Sequence, residues 1–256
     1  PLTALAGGLP VYIDTQKDGF KLTPKNLEKH IEGKVKGIIF NYPCNPTGVS
    51  YSRKELSEIN KILSKHKIIC LSDEIYGDLT YDFEHVAFPS LPGAKERTVY
   101  FNGFSKSYAM TGWRVGFACG PKEIIAGMTK IHQYTIMCVS ITSQMAACEA
   151  LHIGKKSVEE MKREYRRRRE FIIEGLNDIG LTCHKPQGAF YAFPSIKKTG
   201  LNSLDFAQKL LQEEKVAVVP GTAFGEDFKD YIRISYASSF DNLKEALRRI
   251  GAFLKR

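Results

Sequence analysis

The first half of the chain alternates short apolar runs with longer amphipathic stretches. Residues 10–13, 37–40, 68–71, 99–101 and 115–118 form short apolar runs, several rich in β-branched residues, and read as strands. Polar stretches with helical spacing lie between them. Over residues 53–66, Leu56, Ile59, Ile62 and Leu63 share one face, which predicts an amphipathic helix. Such alternation predicts an α/β fold whose mostly parallel sheet is covered by helices on both faces.

The pattern changes at about residue 122. A long helical zone is expected over 122–154 and, after Lys155 and Lys156, over 157–178. Short strands at 181–184, 189–193, 216–219 and 231–235 then surround helices at 204–214 and 241–255. This reads as a smaller α/β unit, dividing the chain into residues 1–160 and 161–256. No repeat or low-complexity linker interrupts the junction, so a helix is expected there.

Composition narrows the class. With 256 residues, 43% hydrophobic and 25% charged, the chain can bury one large core or two smaller ones. No apolar run approaches the roughly 18–20 residues of a membrane helix, and no secretory leader is visible. A cytoplasmic protein without a membrane partner is expected. The chain opens at Pro1 with no helix or strand start signal, so a fragment or processed form is also expected.

The net charge of +9 owes much to Lys162-Arg163-Glu164-Tyr165-Arg166-Arg167-Arg168-Arg169-Glu170. Acidic Glu159, Glu160 and Glu174 bracket it, and Met161, Tyr165, Ile172 and Leu176 recur at helical intervals. That combination reads as a solvated helix face and not as a nucleic-acid site. A basic protein also suits anionic small substrates. The cysteines at Cys44, Cys70, Cys119, Cys138, Cys148 and Cys183 form no CxxC pair and no metal spacing; Cys70 and Cys119 lie in apolar runs, so core thiols in a reducing cytoplasm and no metal are expected.

In open α/β sheets, ligands bind beyond the carboxyl ends of the strands. After Phe40 comes Asn41-Tyr42-Pro43-Cys44-Asn45-Pro46-Thr47-Gly48; after Leu71 comes Ser72-Asp73-Glu74-Ile75-Tyr76. After Phe101 comes Asn102-Gly103-Phe104-Ser105-Lys106-Ser107-Tyr108, then Gly112-Trp113-Arg114. Each apolar run thus ends in chemically able side chains, which a parallel sheet would bring together.

Asn-Pro-x-Gly, Asp-Glu-x-Tyr and Gly-Phe-Ser-Lys with an Arg eight residues later, in this order, resemble class I aminotransferases of pyridoxal-phosphate (PLP) fold type I. The resemblance continues in Gln187-Gly188-Ala189-Phe190-Tyr191, Val219-Pro220-Gly221-Thr222-Ala223-Phe224-Gly225 and Tyr231-Ile232-Arg233-Ile234-Ser235, and so covers nearly the whole chain. It implies PLP as cofactor, with an amino acid and a 2-oxoacid as substrates. Lys106 would form the Schiff base and then move the proton at the α-carbon. Asp73 would hold the proton on the pyridine nitrogen. Tyr76 and Asn45 would hydrogen-bond the ring oxygen, and Ser105 and Arg114 would bind the phosphate. Arg233, with Asn45, would bind the substrate.

Each of these residues also has a plainer reading: an exposed Lys106, a helix-capping Asp73, a core Tyr76, turn chemistry at Asn45 and Ser105, an ion-paired Arg114, a surface Arg233. Two other activities fit the same motifs: a PLP-dependent C–S lyase, and a non-enzymatic sensor module of a transcription regulator. Members of the resembled family carry a segment before the equivalent of Pro1. It supplies the first strands, a helix N-terminus for the phosphate, the aromatic stacked on the ring, part of the small domain and residues reaching a partner subunit. The full-length protein is therefore expected to be a homodimer, and this chain alone to bind PLP weakly and not to transaminate. The Asn45–Pro46 bond is expected to be cis.

Overall fold

The computed structural model describes residues 2–256 apart from Glu32 and Lys34; Pro1, where the first predicted unit begins, lies outside the described residues with those two. Helices α1 (Leu2–Leu5) and α2 (Pro24–His30) precede strand β1 (Gly37–Asn41), helix α3 (Arg53–Lys65) and strand β2 (Ile69–Asp73). Strands β3 (Thr98–Gly103) and β4 (Gly116–Cys119) follow, then helices α4 (Lys122–Thr135), α5 (Ile141–Ile153) and α6 (Lys155–Asp178). The remainder is β5 (Tyr191–Ala192), α7 (Ser203–Glu214), β6 (Val219–Pro220), β7 (Ile232–Ser235) and α8 (Phe240–Phe253).

Local chemistry sets several of these boundaries. Ser52 and Glu55 cap α3 reciprocally: the Ser52 hydroxyl accepts from the Glu55 N–H at 3.3 Å, and the Glu55 carboxylate accepts from the Ser52 N–H at 2.7 Å. The four apolar positions read from the sequence are buried, and polar Asn60 is buried with them. Asn202 caps α7, and Ser239 caps α8.

The larger sheet has the order β1-β2-β3-β4, parallel except for the antiparallel edge strand β4. Parallel neighbours need a crossover connection, which α3 supplies between β1 and β2, while only short 3-10 turns lie between β2 and β3. Its apolar face packs with Phe40, Cys70 and Leu27 in one core. The predicted cover on both faces is only partly met. Strand side chains alternate, and Ile39, beside buried Phe40, is 64% exposed, as Phe117 on β4 is 45% exposed. Helix α4 buries none of its residues, and of the two cysteines expected in the core Cys70 on β2 is buried but Cys119 on the edge strand β4 is exposed.

The second sheet is antiparallel, β5-β7-β6, and packs with α6, α7 and α8 around Ile172, Leu176, Phe206, Ile232 and Leu247. Two predicted strands are absent. Residues 10–13 have no pairing strand, and Val11 and Tyr12 are exposed. Residues 181–184 are extended without a ladder, although Leu181 and Cys183 are buried in the second core; burial and not strand pairing explains that apolar run. The helical zone is also broken at 136–140, which separates α4 from α5.

The basic tract lies on α6 and is mostly solvated, with one correction: Arg169 is fully buried. Its guanidinium donates to both Asp82 carboxylate oxygens at 2.6 and 2.8 Å and to the Pro186 carbonyl at 2.7 Å. It also lies 4.8 Å from the centroid of the Tyr81 ring. A charge at helical spacing among three other arginines gives no sign in the sequence that one of them faces inward.

Candidate active site

Register brings the predicted residues to one edge. Asn41 pairs with Asp73, and Asp73 with Phe101, so β1, β2 and β3 end level. The Asn41 amide nitrogen donates to the Asp73 carbonyl at 3.0 Å, and its amide oxygen accepts from the Asn45 N–H at 3.0 Å. The turn that follows closes through the Gly48 N–H and Cys44 carbonyl at 2.7 Å. Asn45–Pro46 is cis, as expected, and so is Tyr42–Pro43, which the sequence reading did not anticipate.

The turn is fastened to the segment before β5. The N–H groups of Gln187 and Gly188 both donate to the Gly48 carbonyl, at 2.7 and 2.9 Å. Gly48 has φ +69°, and a Cβ there would lie 2.5 Å from the Pro186 Cβ. Only glycine meets both demands.

The two acids of the Asp-Glu pair have different fates. Glu74 is fully buried and saturated: it accepts from the Ser72 hydroxyl at 2.7 Å, the Phe88 N–H at 3.0 Å, and contacts His85 Nε2 at 2.5 Å. Asp73 accepts only from the Ile75 N–H, at 3.3 Å, and among the described residues no cation pairs with it. Burial pushes its carboxyl above the usual range, opposed by the Ile75 N–H and reinforced by the charge of Glu74. An acid held without a partner is one that a cationic ligand atom would relieve.

Tyr76 is buried, and its hydroxyl lies 3.0 Å from that of Tyr191. Burial pushes the Tyr76 phenol far up, and the bond with Tyr191 adds to it. The Lys106 ammonium is half-buried in the turn after β3, 5.8 Å from the Tyr76 ring centroid and 6.0 Å from that of Phe190. Its partial burial against these two rings separates it from an ordinary surface lysine, and among the described residues no carboxylate pairs with it.

Arg233 comes from β7 in the second sheet. Its Nη1 donates to the Asn45 amide oxygen at 2.9 Å. Its guanidinium lies 4.5 Å from the Tyr191 ring centroid and 5.2 Å from that of Phe224. Its Nε is buried with no hydrogen-bond partner, and no carboxylate pairs with it among the described residues. The outward-facing reading of this arginine is thereby replaced: the fork is aimed inward with donors to spare.

Ser105 and Arg114 belong to one turn. The Thr111 hydroxyl donates to the Ser105 carbonyl at 2.9 Å, and Arg114 Nη1 donates to the Thr111 carbonyl at 3.0 Å. Arg114 is exposed, in a left-handed backbone conformation at φ +56°. Among the described residues, neither side chain is hydrogen-bonded to Asn45, Asp73, Tyr76 or Arg233. The structure therefore joins Lys106, Tyr76, Arg233, Asn45 and, through Asn41, the backbone of Asp73. It leaves Ser105 and Arg114 at the rim. The sequence reading missed Tyr191 as a site residue; its place in the Gly-Ala-Phe-Tyr motif was the available signal.

The sequence profile described as aminotransferase class I and II matches residues 2–250. A Bacillus subtilis (strain 168) protein, YugH, named as an aminotransferase, is 53% identical across all of this chain and 66% of its own length. An aspartate aminotransferase of Pyrococcus abyssi is 46% identical over all of this chain and 67% of its own length. The crystal structure of an aromatic aminotransferase from Pyrococcus horikoshii OT3 superposes with a TM-score of 0.94 and 45% identity, covering 98% of this chain and 68% of that one. The chain thus spans about two thirds of the length of its relatives. A matching profile over almost every residue, a shared fold and the motifs gathered at one sheet edge lead to one conclusion: the chain belongs to the class I and II aminotransferase family.

Proposed function

We propose that this chain carries the machinery for PLP-dependent transfer of an amino group between an amino acid and a 2-oxoacid. One observation supports this above the others: Lys106, Asp73 and Arg233 gather around Tyr76, and among the described residues none is paired with an opposite charge. Partly buried charges without partners are costly to keep, so such a set is retained for a ligand that complements it.

The donor set fits PLP. When bound, PLP supplies an electron sink for the charge that develops at the amino acid's α-carbon. Asp73, as the anion, would hold a proton on the pyridine nitrogen. The Tyr76 hydroxyl would donate to the ring oxygen. The Asn45 amide nitrogen would donate beside it, because the amide oxygen is already committed to Arg233. Ser105 and Arg114 would receive the phosphate. Lys106 would hold the cofactor and, once released, take the α-proton and return it. The unpartnered Nε of Arg233 and its neighbouring N–H would grip the substrate carboxylate as a fork.

We also propose a division of the chain at 160/161, within α6. Two cores support it, one between Leu22 and Ala94 and another between Ile172 and Ile250, the second built partly on the C-terminal half of α6. We further infer a cytoplasmic homodimer. Six free cysteines support the compartment, and exposed Tyr134 and Met145 on α4 and α5 support an interface. The test is turnover of an amino acid with a 2-oxoacid in the presence of PLP by a polypeptide extended to the full length of its relatives, compared with the same polypeptide carrying Lys106→Ala. Loss of product by several orders of magnitude in the variant supports the assignment; unchanged turnover refutes it.

A further inference from the structure

Tyr191 has none of the roles above, yet it touches two residues that have them. Its hydroxyl reaches the Tyr76 hydroxyl at 3.0 Å, and its ring faces the Arg233 guanidinium at 4.5 Å. It is only 7% exposed, so little water competes for either contact. Its ring is fixed by Phe190 at 4.8 Å and by the Tyr76 ring, edge-on at 5.9 Å. The strand register explains the second contact. Tyr191 on β5 pairs with Ser235 on β7, and Arg233 lies two residues away on the same face.

Resting on the proposed cofactor reading, we propose that Tyr191 is a positioning residue that couples the two ends of the site. It fixes which way the Tyr76 hydroxyl donates, and it holds the Arg233 guanidinium flat for the substrate carboxylate. The first part follows from counting protons. A phenol has one hydrogen to give. If Tyr76 gives its hydrogen to the cofactor's ring oxygen, the bond between the two phenols must use the hydrogen of Tyr191. Donation into the Tyr76 oxygen polarises its O–H and strengthens the outer bond. The second part rests on the ring face, which attracts the cation without using any of its N–H donors.

The two parts separate by substitution. Tyr191→Phe deletes the hydroxyl and keeps the ring; Tyr191→Leu deletes both. In the PLP-loaded protein, the visible band of the lysine-linked cofactor is titrated with pH. Tyr76 favours the anionic ring oxygen and so favours loss of the proton. Weakening it should move the midpoint up in Tyr191→Phe, by less than in Tyr76→Phe. In the cofactor-free protein, affinity for propionate as a carboxylate probe should stay within about twofold in Tyr191→Phe and fall roughly tenfold in Tyr191→Leu. A midpoint that is unmoved or lowered in Tyr191→Phe overturns the first part, and unchanged propionate binding in Tyr191→Leu overturns the second. Failure of the underlying cofactor reading looks different: no visible band that Lys106→Ala removes, which also sinks the first part.

Discussion

Arg233 and Asn45 stand 188 positions apart in sequence, and the Arg233 Nη1 donates to the Asn45 amide oxygen across 2.9 Å. The bond ties the turn after β1 to the sheet that β7 belongs to. Asn45→Ala should leave one arm of the guanidinium without an acceptor and let it drift. A hydrogen bond to a charged group contributes about 1.5–3 kcal/mol, so KM for the amino acid should rise by roughly tenfold or more. Steady-state kinetics of the variant check this.

Asp73 makes a prediction with a definite sign. Burial raises its carboxyl in the free protein. A protonated pyridine nitrogen at contact distance favours the charged carboxylate and reverses that direction. The titration midpoint of Asp73, followed by the carboxyl carbon signal in NMR, should therefore fall when PLP is added. A midpoint that rises further would place the cofactor's nitrogen elsewhere.

The buried Arg169 predicts a stability effect remote from the chemistry. Its two bonds to Asp82 and one to Pro186 hold α6 against the segment that leads to Tyr191. Arg169→Met should cost about 1–3 kcal/mol, because it removes charge-assisted bonds and leaves the Pro186 carbonyl without its donor, while Asp82 keeps solvent and Arg166. Hydrogen bonding to Arg169 holds Asp82 below the usual carboxylate range. The folded value is the lower one. The stabilisation is thus complete above the unfolded value of about 4 and is lost as pH falls through the folded value. Asp82→Asn should flatten the acid limb of a stability–pH curve and leave the region between pH 5 and 7 without slope from this pair.

Gly188 tests the junction itself. A Cβ there would lie 2.5 Å from the Pro43 Cγ and 2.9 Å from the Leu79 carbonyl oxygen. Gly188→Ala should cost about 1–3 kcal/mol in denaturant unfolding, because the contact is backbone and ring with no flexible chain end to yield. A neutral result would mean that this segment is looser than its hydrogen bonds to Gly48 imply.

The sequence made the placement of the site's polar residues beyond the strand ends legible because that placement is local. Asn45, Asp73, Tyr76 and Lys106 each follow an apolar run within a few residues, and parallel pairing sets those runs level. The features it hid are those that depend on partners far along the chain. Residues 181–184 look like a strand because burial and strand pairing select the same apolar residues. Arg169 looks like its solvated neighbours because nothing local distinguishes the one that meets Asp82, 87 positions away. Tyr191 was visible as part of a motif, but its hydroxyl's partner, Tyr76, lies 115 positions earlier.

The central claim is that Lys106 is the residue that holds the cofactor. The most direct measurement incubates a polypeptide extended to the full length of its relatives with PLP, reduces the lysine linkage with borohydride and finds the modified peptide by mass spectrometry. The account predicts the label on Lys106, within the segment between β3 and β4, at one equivalent. A label spread over surface lysines, or carried by another single lysine with Lys106 unmodified, would contradict it.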